Sequence, residues 1–93
     1  MEKLQKIYVF NGNNSTFPSG VFTEYELALS WIENHKLSGI LNLYPLDVGL
    51  YDWAISNNFF IVKTENQKKS NFIERFTCAS IEHFHFVDGE VDE

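Results

Sequence analysis

The sequence predicts an α+β fold: a single layer of four to five mostly antiparallel strands with about three helices packed on it. Three observations predict it. Runs rich in β-branched and aromatic residues recur at 6–10, 40–44, 59–62 and 81–87. Segments with helical spacing lie between them, at 24–34, 48–57 and 71–78. The links are short, which favours one sheet with helices over one face. A mixed sheet is the alternative, because helices join several of the strands.

Each element has its own local warrant. Residues 6–10 read as a strand that runs into the turn cluster Asn11-Gly12-Asn13-Asn14-Ser15. Residues 17–22 resume as a short extended piece. Pro18 has no N–H, so this piece belongs at a sheet edge, in a hairpin with the first strand. Thr23 and Glu26 have capping-box spacing, and Phe22 and Leu27 have that of a hydrophobic staple. They predict a helix over 24–34. Tyr25, Ala28, Leu29 and Ile32 form its buried stripe, widened by Leu27 and Trp31. Asn34, His35 and Lys36 suit its C-terminus, so His35 reads as a helix-end residue.

Residues 40–44 are nearly all apolar, as in a sheet interior, and Pro45 ends the run. Asp47 predicts the cap of a helix over 48–57, with Leu50, Trp53 and Ala54 inward and Asn57-Asn58 as the stop. Residues 59–62 read as a short strand and 63–70 as a loop. Ser70 then caps a short helix over 71–78 that buries Phe72, Ile73 and Phe76. Residues 81–87 alternate: Glu82, Phe84 and Phe86 share one face, Ile81, His83, His85 and Val87 the other. The phenylalanines are expected inward. Asp88-Gly89 turns the chain out of the fold, leaving residues 89–93 as a frayed acidic tail.

The bulk composition sets bounds. The 93 residues make one domain with an ordered body over about 6–88. Nine phenylalanines and 44% hydrophobic residues supply its core, enough to exclude disorder of the body. The lone Cys78 cannot form an internal disulfide and fits a reducing compartment. Residues 1–6 are not followed by a signal-peptide apolar region, and no window approaches a membrane span. A soluble cytoplasmic protein is expected. The net charge of −6 opposes nucleic-acid binding, which needs a cationic surface, and suits a basic protein partner. Charge is uneven: Lys63, Lys68, Lys69 and Arg75 hold four of the seven cations, and residues 88–93 hold four of the thirteen acids.

Blocks of the sequence carry a resemblance. Tyr8-Val9-Phe10-Asn11-Gly12, Phe17-Pro18-Ser19-Gly20-Val21-Phe22, Leu37-Ser38-Gly39, the run from Tyr44-Pro45-Leu46-Asp47 to Trp53-Ala54-Ile55, and Glu82-His83-Phe84-His85-Phe86-Val87-Asp88-Gly89 resemble a small bacterial domain family of unknown function. The resemblance spans Tyr8 to Gly89 and implies a compact stand-alone domain. It carries over no catalytic residue, cofactor or substrate. By class analogy, small acidic proteins of this kind include immunity proteins that neutralise bacterial toxins.

Candidate chemistry is sparse. His83-x-His85 puts two imidazoles on one strand face, a start for a metal site that needs three or four ligands. The other reading is a solvent-facing strand with two ordinary histidines. Asp88, Asp47, Asp52 or His35 would have to complete a ligand set. Asp47 and Asp52, five residues apart on a helix, diverge by roughly 140° and form no carboxylate pair. No nucleotide-binding loop and no cysteine pair occur. Tyr44, Tyr51 and Trp53 are aromatic candidates for a contact surface. Tyr51 and Asp52 remain without a structural duty and are the predicted partner-facing patch. The expected function is a non-catalytic protein-binding module, with a toxin domain as its most concrete partner and no cofactor. The alternatives are a metal protein or small enzyme using His83 and His85, and a homodimer pairing through the edge at 17–22.

Overall fold

A computed structural model of the chain describes residues 5–92. Among these residues the chain forms five strands, three α-helices and one 3₁₀ turn. The strands are β1 (Lys6–Gly12), β2 (Gly20–Phe22), β3 (Gly39–Pro45), β4 (His83–Val87) and β5 (Glu90–Val91). The helices are α1 (Tyr25–Asn34), α2 (Leu50–Ser56) and α3 (Ser70–Glu74). The chain divides into two compact units, 1–46 with 81–93, and 47–80.

The first unit holds a five-stranded sheet in the order β2-β1-β3-β4-β5, antiparallel throughout. The α+β reading therefore holds, and the mixed sheet does not occur. β3 is central, as its apolar run predicted. β1 pairs with it from Lys6↔Pro45 to Gly12↔Gly39. β2 lies at the edge, where Pro18 just ahead of it costs no ladder bond.

The core follows from strand alternation. Phe10, Leu41 and Phe86 are buried on the same face as Tyr8, Leu43 and Phe84, and α1 lays Ala28 and Ile32 onto it. Phe22, Tyr25, Leu29, Trp31 and Leu37 complete the cluster. The aromatic rings meet at the tilted and edge-on angles such pairs favour. Trp31 lies 5.7 Å from Phe10 and 5.4 Å from Phe22, and Tyr25 lies 5.0 Å from Phe84.

The capping box does not form. Glu24 is the N-cap of α1 and no side chain caps it. The staple is absent too, since Leu27 is 53% exposed while Phe22 packs on Trp31. The end of α1 is a Schellman motif: Lys36 takes φ 55°, its N–H reaches Glu33, and the Leu37 N–H reaches the Ile32 carbonyl.

The tail is also corrected. Asp88 and Gly89 both have positive φ, 49° and 90°, as a two-residue type I′ hairpin turn requires. Val87 then pairs with Glu90, Phe86 with Val91, and the Asp92 N–H bonds the His85 carbonyl. Residues 90–91 are thus an edge strand, not a frayed tail. The turn is held by Gly89 N–H to the Leu37 carbonyl and Asp88 N–H to Ser38 Oγ.

In the second unit, α2 starts two residues later than expected. Gly49 is its N-cap without a side-chain bond, and Asp47 sits before it in the left-handed region at φ 62°. Its end is the predicted one: Asn58 takes φ 62°, with Asn58 N–H to Ile55 and Phe59 N–H to Ala54. Residues 59–62 form no strand, and Phe59 and Ile61 are exposed. Part of the expected loop is the 3₁₀ turn Glu65–Lys68. The helix predicted over 71–78 is shorter, with no side-chain cap, and Ile73 is exposed.

Candidate functional site

The sheet of the first unit has a second face, turned away from α1. Register fixes its rows. Val21, Val9, Asn42 and His83 lie in one row across four strands. Asn11, Ile40 and His85 form the next, with Ile7 beside Tyr44 and Val87 beside Glu90 at the ends. These residues point there because their neighbours Tyr8, Phe10, Leu41, Phe84 and Phe86 point to the core.

This face is apolar in the middle and exposed toward the edges. Ile7, Val9, Ile40, Asn42 and Tyr44 are half-buried, and His83 and His85 are exposed. Val21 is 59% and Val87 50% exposed. The face thus carries aliphatic, amide, imidazole and phenol groups side by side. The sequence signal was available: β1 is apolar on both faces, Ile7 and Val9 as well as Tyr8 and Phe10. Within this unit α1 covers one face, so the second set lies on the other.

The two histidines share the face as predicted, their rings 5.5 Å apart and nearly perpendicular. His83 Nδ1 lies 2.8 Å from the Ile81 carbonyl. In the neutral ring a proton on Nδ1 makes this bond and leaves Nε2 as an acceptor. Among the described residues no group of three or more His, Cys, Asp or Glu gathers where a metal ion could be held. The register neighbours of the pair are Asn42 and Ile40. Asp88 sits in the hairpin turn, its N–H on Ser38. Glu82 acts on the other side of the sheet, where it bears on Tyr8.

Tyr8 is a perturbed titrating group of the sheet unit. Burial raises its phenol above the usual value, and the negative charges of Glu82 and Glu26, with Tyr25, push it further the same way.

The predicted patch separates. Tyr51 is not on the surface: it is only 9% exposed, and its hydroxyl donates a 2.8 Å bond to the Gln67 carbonyl. Its ring lies 5.9 Å from Phe60, 6.2 Å from Phe72 and 5.5 Å from Phe76. On α2 Tyr51 and Ala54 face inward together, one helical turn apart. Asp52 is exposed in the first turn, where the positive helix end favours a carboxylate. Trp53 is half-buried against Phe59, and Cys78 is half-buried.

No described helix is long and apolar enough to cross a membrane. Charge divides with the units. The residues of the sheet unit include nine acids and three bases, the whole net charge of −6, and the segment 47–80 is balanced. Residues 7–92 match a family described as "Domain of unknown function (DUF7710)". No curated protein and no solved structure gives a significant match.

Proposed function

The chain belongs to this family of domains of unknown function, and we propose that it is a protein-binding module whose outward sheet face engages a basic protein. The observation that carries the reading is the partly exposed apolar and imidazole face spanning four strands within the unit that holds all the net negative charge. The aliphatic centre supplies apolar area to bury. The surrounding acids steer a cationic partner to it. Tyr44, Asn11, Asn42, His83 and His85 offer donors and acceptors among the aliphatic side chains. A toxin domain neutralised by the chain is the most concrete partner of this kind, and small size and acidic charge support it.

The test has two steps. The tagged chain captures its basic partner from source cells, and the purified partner is then titrated by calorimetry. Val21→Lys with Val87→Lys, both at exposed positions, is expected to weaken binding by about tenfold or more through like charge. Leu27→Lys, on the exposed side of α1, adds the same charge off the face and leaves affinity within about twofold. Equal binding by the double variant, or no basic partner at all, overturns the reading.

A further inference from the structure

The second unit contains a cleft of about 620 Å³ that the proposed interface does not use. Phe59, Phe60, Phe72 and Phe76 form its walls, with Arg75 and Cys78 among the remaining lining residues. This volume falls within the range of small-molecule sites. The rings already stand at the spacing and angles of aromatic recognition. Phe60 and Phe72 stack at 5.8 Å and 27°, and Phe60 and Phe76 meet edge-on at 5.1 Å. Such rings present faces and edges into one space, as a flat aromatic guest needs. Burying them wholly inside the unit would have been the ordinary outcome. Instead all four are at least partly exposed, with Phe59 at 51%.

One charge lines this apolar space. Arg75 is its only ionised lining residue, and no carboxylate joins it. Its Nε donates to the Asn71 carbonyl at 3.1 Å, a contact that anchors the guanidinium beside the cleft. Among the described residues that is the hydrogen bond the Arg75 side chain makes, which leaves its terminal amino groups available for a planar, bidentate acceptor. A carboxylate is such an acceptor.

We propose that this cleft binds a small aromatic carboxylate, its ring among Phe59, Phe60, Phe72 and Phe76 and its carboxylate on Arg75. Cys78 is the single cysteine of the chain and lines the cleft, so it reports occupancy. The full chain is alkylated with iodoacetamide and the rate followed by mass spectrometry, with 1-naphthoate as the probe. Saturating naphthoate is expected to slow alkylation about fivefold or more. Arg75→Gln, at an exposed position, is expected to raise the naphthoate concentration for half-protection about tenfold, the loss of one charge-assisted contact. Ala79→Trp, at an exposed lining position, fills part of the cleft and should abolish naphthoate protection at any Arg75 state. No protection of the wild-type chain, unchanged protection in Arg75→Gln, or equal protection by the uncharged 1-naphthalenemethanol overturns the proposal.

Discussion

Gly39 and Gly12 face each other in the β1–β3 ladder, and replacing each by alanine gives opposite outcomes. A Cβ at Gly39 would fall on the Asn11 carbonyl oxygen, and would stand 2.8 Å from both Gly12 Cα and Phe10 Cζ. Two of those three neighbours are backbone of the adjacent strand and cannot rotate away. The third is the ring of a core residue that is 1% exposed. Relief requires β1 and β3 to separate at the Gly12↔Gly39 end of their ladder, beside the buried Phe10 ring, which strains the ladder and disturbs the core there. The cost is about 3 kcal/mol, the upper part of the range for overpacking. For a chain of this size that lowers Tm by about 12–24 °C. At Gly12 the nearest atoms to an added Cβ are Ser15 Cβ and the Ser38 carbonyl oxygen, both at 3.8 Å. That is ordinary contact, and the reduced freedom of the unfolded chain makes Gly12→Ala neutral or stabilising by up to about 1 kcal/mol. Thermal unfolding followed by circular dichroism, with both variants side by side, decides. Tm values within about 2 °C of each other would refute the packing argument.

Three further outcomes are expected. Thr23→Ala changes stability by less than about 0.5 kcal/mol in urea unfolding, because no side chain caps α1, whereas a working capping box would cost about 1 kcal/mol. Tyr51→Phe leaves the Gln67 carbonyl without its hydroxyl partner and destabilises by about 1 kcal/mol; hydrogen exchange quickens at residues 51–76, while the sheet amides keep their protection. The folded-state pKa of Tyr8 is raised above its unfolded value, so its contribution is fully present below the unfolded tyrosine pKa of about 10 and is lost as pH rises through the folded value. Tyr8→Phe removes that alkaline loss, and denaturation curves above about pH 10 should show a flatter decline than wild type.

The parts of the fold that were legible in the sequence are those where side-chain period and burial agree. β1, β3 and β4 alternate or run apolar over several residues, and α1 keeps a stripe from Tyr25 to Ile32. The helix ends were readable because Asn34-His35-Lys36 brings cations to the negative dipole end of α1 and Asn57-Asn58 supplies an asparagine that takes the left-handed region after α2. The misreadings have physical causes. Residues 59–62 look like a strand because a short apolar run has no period of its own; here Phe60 joins an aromatic cluster instead of a ladder. The capping signals at Thr23, Asp47 and Ser70 are two- or three-residue patterns, and tertiary packing set each helix start a residue or two away. β5 was missed although Asp88-Gly89 is a strong hairpin signal. The acidic residues after it looked like a tail, and a two-residue edge strand leaves no periodicity to detect.

The site was legible only in part. His-x-His placed two side chains on one face, as alternation demands. Alternation places Ile7, Val9, Val21 and Ile40 in strands, but it does not say which face α1 covers. Tyr51 is buried because the inward face of α2 runs between Tyr51 and Ala54 rather than along Leu50, Trp53 and Ala54, a turn of less than about 100° that one residue's step around the helix covers.

Amide chemical-shift mapping of the isotope-labelled chain with its purified basic partner tests the central claim most directly. The largest changes are expected along Val9, Val21, Asn42, His83 and His85, on the sheet face turned away from α1; changes confined to α1 or to residues 47–80 would overturn the proposed interface.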